Sequence, residues 1–209
     1  MIFWKNKKKI TQEIIATSNL NTENIRLKSE NVKLKNDLKI CEKQKFNLTS
    51  ASEITNRNMQ IVRIFTNTEE VYTVGIDTDY NYKGQLTSVH FYLYLLSDRK
   101  SPPYWYNHIW LEPYYKREND MEWLEYIKIT EFLGKTGEVG MGYGSYNFKT
   151  MLDFVQNNFG QRTKIKCWLS SVDERDENNK KRRNHVYEKF GFSIVGEWAI
   201  LDKVGNRKI

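Results

Sequence analysis

The chain has 209 residues, enough for one full-sized domain and an additional segment. Its formal net charge of +7 favours anionic partners, which include nucleic acid, anionic membrane faces and phosphorylated ligands, and does not choose among them. The two cysteines, Cys41 and Cys167, fit neither a disulfide framework nor a metal-ligand spacing, so we expect a reducing, cytoplasmic setting and no metal site. Residues 1–9 lack the apolar core of a signal peptide and of a membrane span, which predicts a soluble protein.

A long helix with a heptad repeat is predicted first, because residues 9–49 contain no Gly or Pro. The d positions of the repeat are Leu20, Leu27, Leu34, Cys41 and Leu48. Asn24 and Asn31 fall at a positions, where asparagine pairs well with itself across a parallel dimer. We therefore expect residues 1–58 to form a basic segment followed by a homodimeric coiled-coil helix, with residues 50–58 as a polar linker or last turn. A single amphipathic helix packed on its own chain is the alternative.

The following segment, residues 59–132, is predicted to form strands. It is rich in β-branched and aromatic residues and is punctuated by turn-forming residues. The expected strands are Ile61–Phe65, Val71–Ile76, Leu86–Leu96, Tyr104–Leu111 and Trp123–Phe132. Short connections favour an antiparallel meander, and the apolar run from Leu86 to Leu96 is typical of a central strand covered on both faces.

A glycine-rich loop comes next, Glu138–Ser145, with Gly140, Gly142 and Gly144 at alternate positions. Glycine permits positive φ and close ligand approach, so the backbone N–H groups of such a loop can converge on a phosphate. Apolar residues at helical spacing follow, from Phe148 to Phe159, and Gly160 is expected to end that helix. A strand over Lys164–Leu169, a helix over about residues 178–190 and a last strand over residues 192–200 complete the prediction. The order of elements indicates a layered α/β or α+β domain over residues 59–209.

The end of the second predicted helix, Val186-Tyr-Glu-Lys-Phe-Gly-Phe192, resembles a phrase of the GNAT superfamily of acetyl-coenzyme A dependent N-acetyltransferases. Gly142-Tyr143-Gly144 matches the Gly-x-Gly part of that family's phosphate loop. The resemblance covers about residues 123–200, and it implies a GNAT-like fold with a mixed, largely antiparallel sheet flanked by helices. It does not cover the N-terminal helix.

The resemblance implies an acetyl group transferred from acetyl-CoA to an unidentified amine acceptor by direct attack. The cofactor pyrophosphate would lie on Val139, Gly140, Met141, Gly142, Tyr143, Gly144 and Ser145. The pantetheine arm would run where the strand containing Ile129 and Thr130 splays from the strand at residues 164–169. Tyr187 would protonate the leaving thiolate. A base is also needed, and Glu125 is favoured over Glu122 on the strand before the loop.

Departures from the family pattern leave alternatives open. Val139 stands where the family has Arg or Gln, and residues 65–71 leave room only for a turn where the family places acceptor-binding helices. A GNAT-like scaffold or regulator without catalysis, oligomerising through the N-terminal helix, is therefore the second hypothesis. A basic nucleic-acid-binding protein is the third, and it depends on charge alone. No membrane partner is expected.

Overall fold

The computed structural model describes residues 2–67, 70–96, 104–134, 142–170 and 177–206, with side chains in the first helix from residue 19 onward. The elements in chain order are α1 Ile2–Thr55, β1 Gln60–Asn67, β2 Glu70–Tyr80, β3 Leu86–Leu95, β4 Trp105–Glu118, β5 Met121–Gly134, α2 Tyr143–Phe159, β6 Ile165–Trp168, α3 Glu177–Lys189, β7 Ser193–Val195, β8 Trp198–Leu201 and a 3-10 turn Val204–Asn206. Over these residues the fold is α+β, with a mixed eight-stranded sheet and three α-helices. None of the described helices is both long and apolar enough to cross a membrane.

The chain divides into two compact units after Leu48. The first unit is the greater part of α1, and its seam residues are exposed, with Leu20 at 66%, Leu34 at 64% and Leu48 at 73%. The predicted long helix is confirmed, and it continues through residues 50–55, for which we predicted a linker or a last turn. Pairing of two copies along this seam stays a prediction, as does the division at residue 58.

The second unit contains the sheet, whose strand order is β1-β2-β3-β4-β5-β6-β8-β7. Strands β1 to β5 form an antiparallel meander, as predicted from the short connections. β5 pairs with β6 in parallel, because α2 carries the chain back across the sheet between them. The remaining pairs, β6 with β8 and β8 with β7, are antiparallel.

The main core lies between α2 and one face of the sheet. Residues that follow the helical spacing are fully buried on α2, namely Phe148, Met151, Leu152 and Val155. Alternate residues of β3, including Phe91 and Leu93, belong to this core. On the other face of β3, Tyr94 and Leu96 pack with Ile54 from the last turns of α1. The prediction of a central strand covered on both faces is therefore confirmed.

Two strand predictions were wrong in extent. β4 continues beyond residue 111 and β5 begins before residue 123. The two strands meet at a tight hairpin, where Asn119 and Asp120 both have positive φ. Asparagine and aspartate tolerate that conformation, and a two-residue turn of this kind matches the twist of long strands. The expected last strand, residues 192–200, is instead the hairpin β7–β8, because Gly196 (φ 59°) reverses the chain.

Candidate functional site

The N-terminus of α2 has the features of an anion site. Gly142 is its N-cap residue, with φ 81° and ψ −2°, and no side-chain cap is found in the described part of the chain. The first turn begins when the Tyr146 N–H donates to the Gly142 carbonyl at 3.2 Å, so the N–H groups before it lack an intrahelical acceptor. Lys189 Nζ donates to Ser145 Oγ at 3.2 Å, which places an ammonium group beside these donors.

Gly142 and Gly144 of the loop are each required for a different structural reason. Gly142 adopts a positive φ that L side chains rarely reach, whereas a Cβ on Gly144 would lie 3.1 Å from Phe132 Cζ. Gly144 therefore lets the start of α2 approach β5 closely. Tyr143, in the same turn, packs its ring against Tyr72 and Tyr106. The predicted site residues Val139, Gly140 and Met141 lie outside the described residues.

β5 parts from β6 close to this helix start. Their parallel register ends at Ile129 with Cys167, and β5 continues to Gly134 paired with β4. A β-bulge at Thr130, between the pairs Trp110–Glu131 and Leu111–Ile129, marks the place. We call the space beside Thr130–Gly134, on the side toward β6, the strand gap, because this segment has no register partner on that side among the described residues. Ile129 is buried, and Thr130 Oγ1 donates to Glu112 Oε2 at 3.0 Å.

A buried asparagine pair fixes α2 to the end of β5. Asn147 is fully buried, and its Nδ2 donates to Asn107 Oδ1 at 2.8 Å and to the Phe91 carbonyl at 3.2 Å. Asn107 Nδ2 in turn donates to the Leu133 carbonyl at 2.8 Å. Because buried amides need partners, this network sets where the helix start lies relative to the end of β5.

Tyr187, the predicted acid, lies in the core beside the strand gap. It is 2% exposed, and its hydroxyl donates to Cys167 Sγ at 3.0 Å. Its ring contacts Phe148, Phe192 and Phe132. Burial raises the pKa of the Cys167 thiol, and the Tyr187 hydrogen bond opposes that effect in part. The Tyr187 hydroxyl is thus held at the last residue of β6 that pairs with β5.

Glu125, the predicted base, occupies a bulge position of β5 between the pairs Tyr114–Tyr126 and Tyr115–Leu124, and it is exposed. It lies four residues before Ile129, which is about 13 Å at roughly 3.3 Å per strand residue. The paired stretch Ile127–Ile129 therefore separates it from the strand gap. Glu122 Oε2 accepts from Gln85 Nε2 at 2.8 Å, farther along the same strand.

A cluster of titratable groups lies on the sheet face opposite α2. His90 Nδ1 and His108 Nε2 are 3.1 Å apart, and His108 Nδ1 is 3.6 Å from Glu131 Oε2. We call His90, His108 and Glu131 the histidine–carboxylate cluster. Burial, followed by the influence of His90, lowers the pKa of His108 to about 4, so His108 is neutral at neutral pH.

His90, His108 and His185 lie in different elements, β3, β4 and α3, and their spacing in the sequence does not indicate that the first two are neighbours. In the register of β3 with β4, His90 pairs with Trp110 and Tyr92 with His108, so the two histidines are diagonal neighbours. Along β3 and β4 each histidine is next in sequence to a core residue, Phe91 or Ile109, so both histidines lie on the sheet face away from that core. Lys189 was also missed as a site residue, although it lies within the Tyr187 phrase.

The described part of the chain defines a class of protein, an α+β domain whose helix start lies beside the parting of two parallel strands. No protein-family model and no curated protein matches the chain. Two solved structures are similar over part of it, the KacTA–DNA complex and AtaTR bound with AcCoA, each at 10% identity and a TM-score of 0.40. Both cover 56% of this chain, with 69% and 68% of those chains matched respectively. The similarity is remote.

Proposed function

We propose that residues 59–209 form a GNAT-like N-acetyltransferase domain, which binds acetyl-CoA and transfers its acetyl group to an amine. The observation that carries this proposal is the α2 N-terminus, led by Gly142 in a left-handed conformation and lying beside the strand gap. Backbone donors at a helix start suit a pyrophosphate, and an unpaired strand edge suits the amides of a pantetheine arm.

The residues present fit this ligand in two places. The N–H groups of Tyr143, Gly144 and Ser145 would hold the pyrophosphate together with Lys189, and the undescribed residues Val139, Gly140 and Met141 would extend that cradle. The backbone next to Ile129 and Thr130 would pair with the arm. When bound, acetyl-CoA would supply an activated carbonyl, to which the amine nitrogen would form a bond as the carbon–sulfur bond breaks and the leaving thiolate takes up a proton.

Tyr187 is the proposed donor of that proton, because its hydroxyl lies beside the end of the β5–β6 register. In the structure this hydroxyl donates to Cys167 Sγ, so donation to a thiolate requires the hydrogen bond to change acceptor. The same burial favours the second hypothesis, in which Tyr187 packs the core of a non-catalytic, ligand-binding scaffold.

Calorimetric titration with acetyl-CoA tests the proposal. We expect the wild type to bind and Gly142→Glu to bind at least tenfold more weakly, because a carboxylate would repel the pyrophosphate. Gly84→Glu is the matched control: Gly84 also has a positive φ, of 75°, but lies in the β2–β3 turn. Absence of binding by the wild type, or an equal loss in both variants, would contradict the proposed site.

Thiol release from acetyl-CoA in the presence of amines separates the two hypotheses. Amine-dependent release that falls in Tyr187→Phe supports transfer with Tyr187 as the acid. Acetyl-CoA binding without amine-dependent release supports the scaffold.

A further inference from the structure

A ligand in the strand gap would be accessible from both faces of the sheet, because the β5–β6 register ends at Ile129. Neighbouring strands that part have no backbone hydrogen bonds between them, so a ligand arm lying in the gap is exposed on the side away from α2 as well. Phe132 packs toward α2, where it contacts Phe148. Glu131, one residue before it, therefore projects from the opposite face.

Glu131 is the carboxylate of the histidine–carboxylate cluster and directly follows the bulge at Thr130. Its side chain is 42% exposed, whereas that of His108 is 10% exposed. The strand order places β5 next to the gap, with His108 one strand away on β4 and His90 two strands away on β3. A group entering through the gap would thus meet Glu131 before either histidine.

The distances within the cluster favour one set of tautomers. A carboxylate 3.6 Å from His108 Nδ1 stabilises a proton on that nitrogen, which leaves His108 Nε2 as an acceptor. The 3.1 Å contact then requires His90 Nδ1 to donate to it. In this arrangement each histidine holds the next group, and the Glu131 carboxylate keeps lone pairs for a further proton.

The surroundings of the cluster suit a cation. The Tyr92 ring stacks on His108 at 4.6 Å, and the Trp105 ring lies 5.8 Å from it. Aromatic faces and carboxylates together bind ammonium groups. The titratable and charged groups on this face include, by strand, Asp77 and Asp79 of β2, His90, Tyr92 and Tyr94 of β3, His108 and Glu112 of β4, Lys128 and Glu131 of β5, and Lys166 of β6. Both lysines have partners: Lys128 Nζ lies 3.9 Å from Glu112 Oε2, and Lys166 Nζ lies 4.3 Å from the centre of the Tyr126 ring.

We infer that Glu131 accepts the proton of a primary alkylammonium acceptor, a lysine side chain or a polyamine, and that His108 and His90 are positioning residues for its carboxylate. This inference rests on the proposed function and names its acceptor class. One proton passes from the ammonium to Glu131 Oε before attack. Of the two left on nitrogen, one stays on the amide and the other replaces the proton that Tyr187 gives to the thiolate.

The first test is the protonation state of the histidines in the full chain. Nitrogen-15 NMR at neutral pH is expected to show a proton on Nδ1 of both histidines and none on Nε2 of His108. A proton on His108 Nε2, or a doubly protonated His108, would overturn the positioning role.

The second test is amine binding, followed on the same spectra with spermine and with Nα-acetyl-lysine methylamide as probes. We expect saturable shifts of the His108 signals and none of the His185 signals, since His185 lies exposed on α3. Saturation by spermine alone identifies a polyamine, and saturation by the lysine derivative identifies a lysine side chain. Absence of saturable shifts with both probes overturns the acceptor class.

The third test is turnover of acetyl-CoA with the amine that binds. Glu131→Gln is expected to lower kcat/KM by about 10²- to 10⁴-fold with the acetyl-CoA affinity unchanged. His108→Gln should lower kcat and shift its pH profile, whereas the matched variant His185→Gln should alter neither. A large loss in Glu125→Gln with none in Glu131→Gln would restore Glu125 as the base and overturn the inference. Loss of acetyl-CoA binding in the wild type would instead reject the proposed function itself.

Discussion

His108 shows how a single buried residue makes stability depend on pH. The residue is 8% exposed and its ring stacks on Tyr92, so a charge on the ring would lose most of its hydration. The groups facing it from the neighbouring positions are His90, Tyr92 and Glu131. The folded state therefore binds the His108 proton less tightly than the unfolded chain does.

We predict that this residue makes the protein acid-sensitive. The pKa of His108 is about 4 when folded and 6.5 in its ordinary state, so the unfolded chain binds more protons in that range. The free energy of unfolding should therefore fall as the pH decreases from about 6.5 toward about 4, by up to about 2 kcal/mol between pH 7 and 5. Urea unfolding of the wild type and His108→Gln measures it. An equal pH dependence in both would contradict the prediction.

Asn147 is a second residue for which the loss of stability on substitution can be predicted. In Asn147→Ala, Asn107 Oδ1 and the Phe91 carbonyl lose their buried donor, which should lower the free energy of unfolding by about 1–3 kcal/mol. Asn157→Ala, an exposed position on the same helix, should stay within about 0.5 kcal/mol of the wild type. Equal effects of the two changes in chemical denaturation would show that the buried network contributes nothing.

At the scale of elements, periodicity predicted most of what the structure contains. The apolar spacing from Phe148 to Val155 located α2 because a helix packing on a sheet buries one face. The β7–β8 hairpin was missed, because one glycine in a short apolar run does not distinguish a bend from a strand interior. The extension of β4 and β5 was missed because Lys116 and Glu118 are compatible with both an exposed strand and a loop.

One part of the candidate site could be predicted from the sequence and another part could not. The sequence was enough to select Gly142, the helix α2 that follows it, and Tyr187, because glycine spacing and the resemblance both depend on local order. The histidine–carboxylate cluster could not be found, because it depends on the register of β3, β4 and β5. That register is shifted by bulges near Tyr94 and Thr130, which single-sequence alternation does not predict.

At the scale of the whole molecule, the heptad seam of α1 predicts a homodimer. The seam leucines are between 44% and 73% exposed in the single chain, and burying them against a second copy would be favourable. Leu34→Glu places a charge at a d position and should convert a dimer to a monomer in sedimentation velocity experiments. Asn36→Glu, two residues away and off the seam, should leave the mass unchanged. A monomeric wild type at micromolar concentration would contradict the prediction.

The short register between β5 and β6 has a consequence for how the domain opens. Three residue pairs join the meander β1–β5 to the smaller group β6, β8 and β7, fewer than join any two neighbouring strands of the meander. Regions joined by few hydrogen bonds tend to open as separate cooperative units. A ligand bound across the strand gap would link the two groups of strands. At a hundred times its dissociation constant it would add about 2.7 kcal/mol to their joint stability. Amide exchange in β2–β4 and in β6–β8 would then slow together, as that of one cooperative unit.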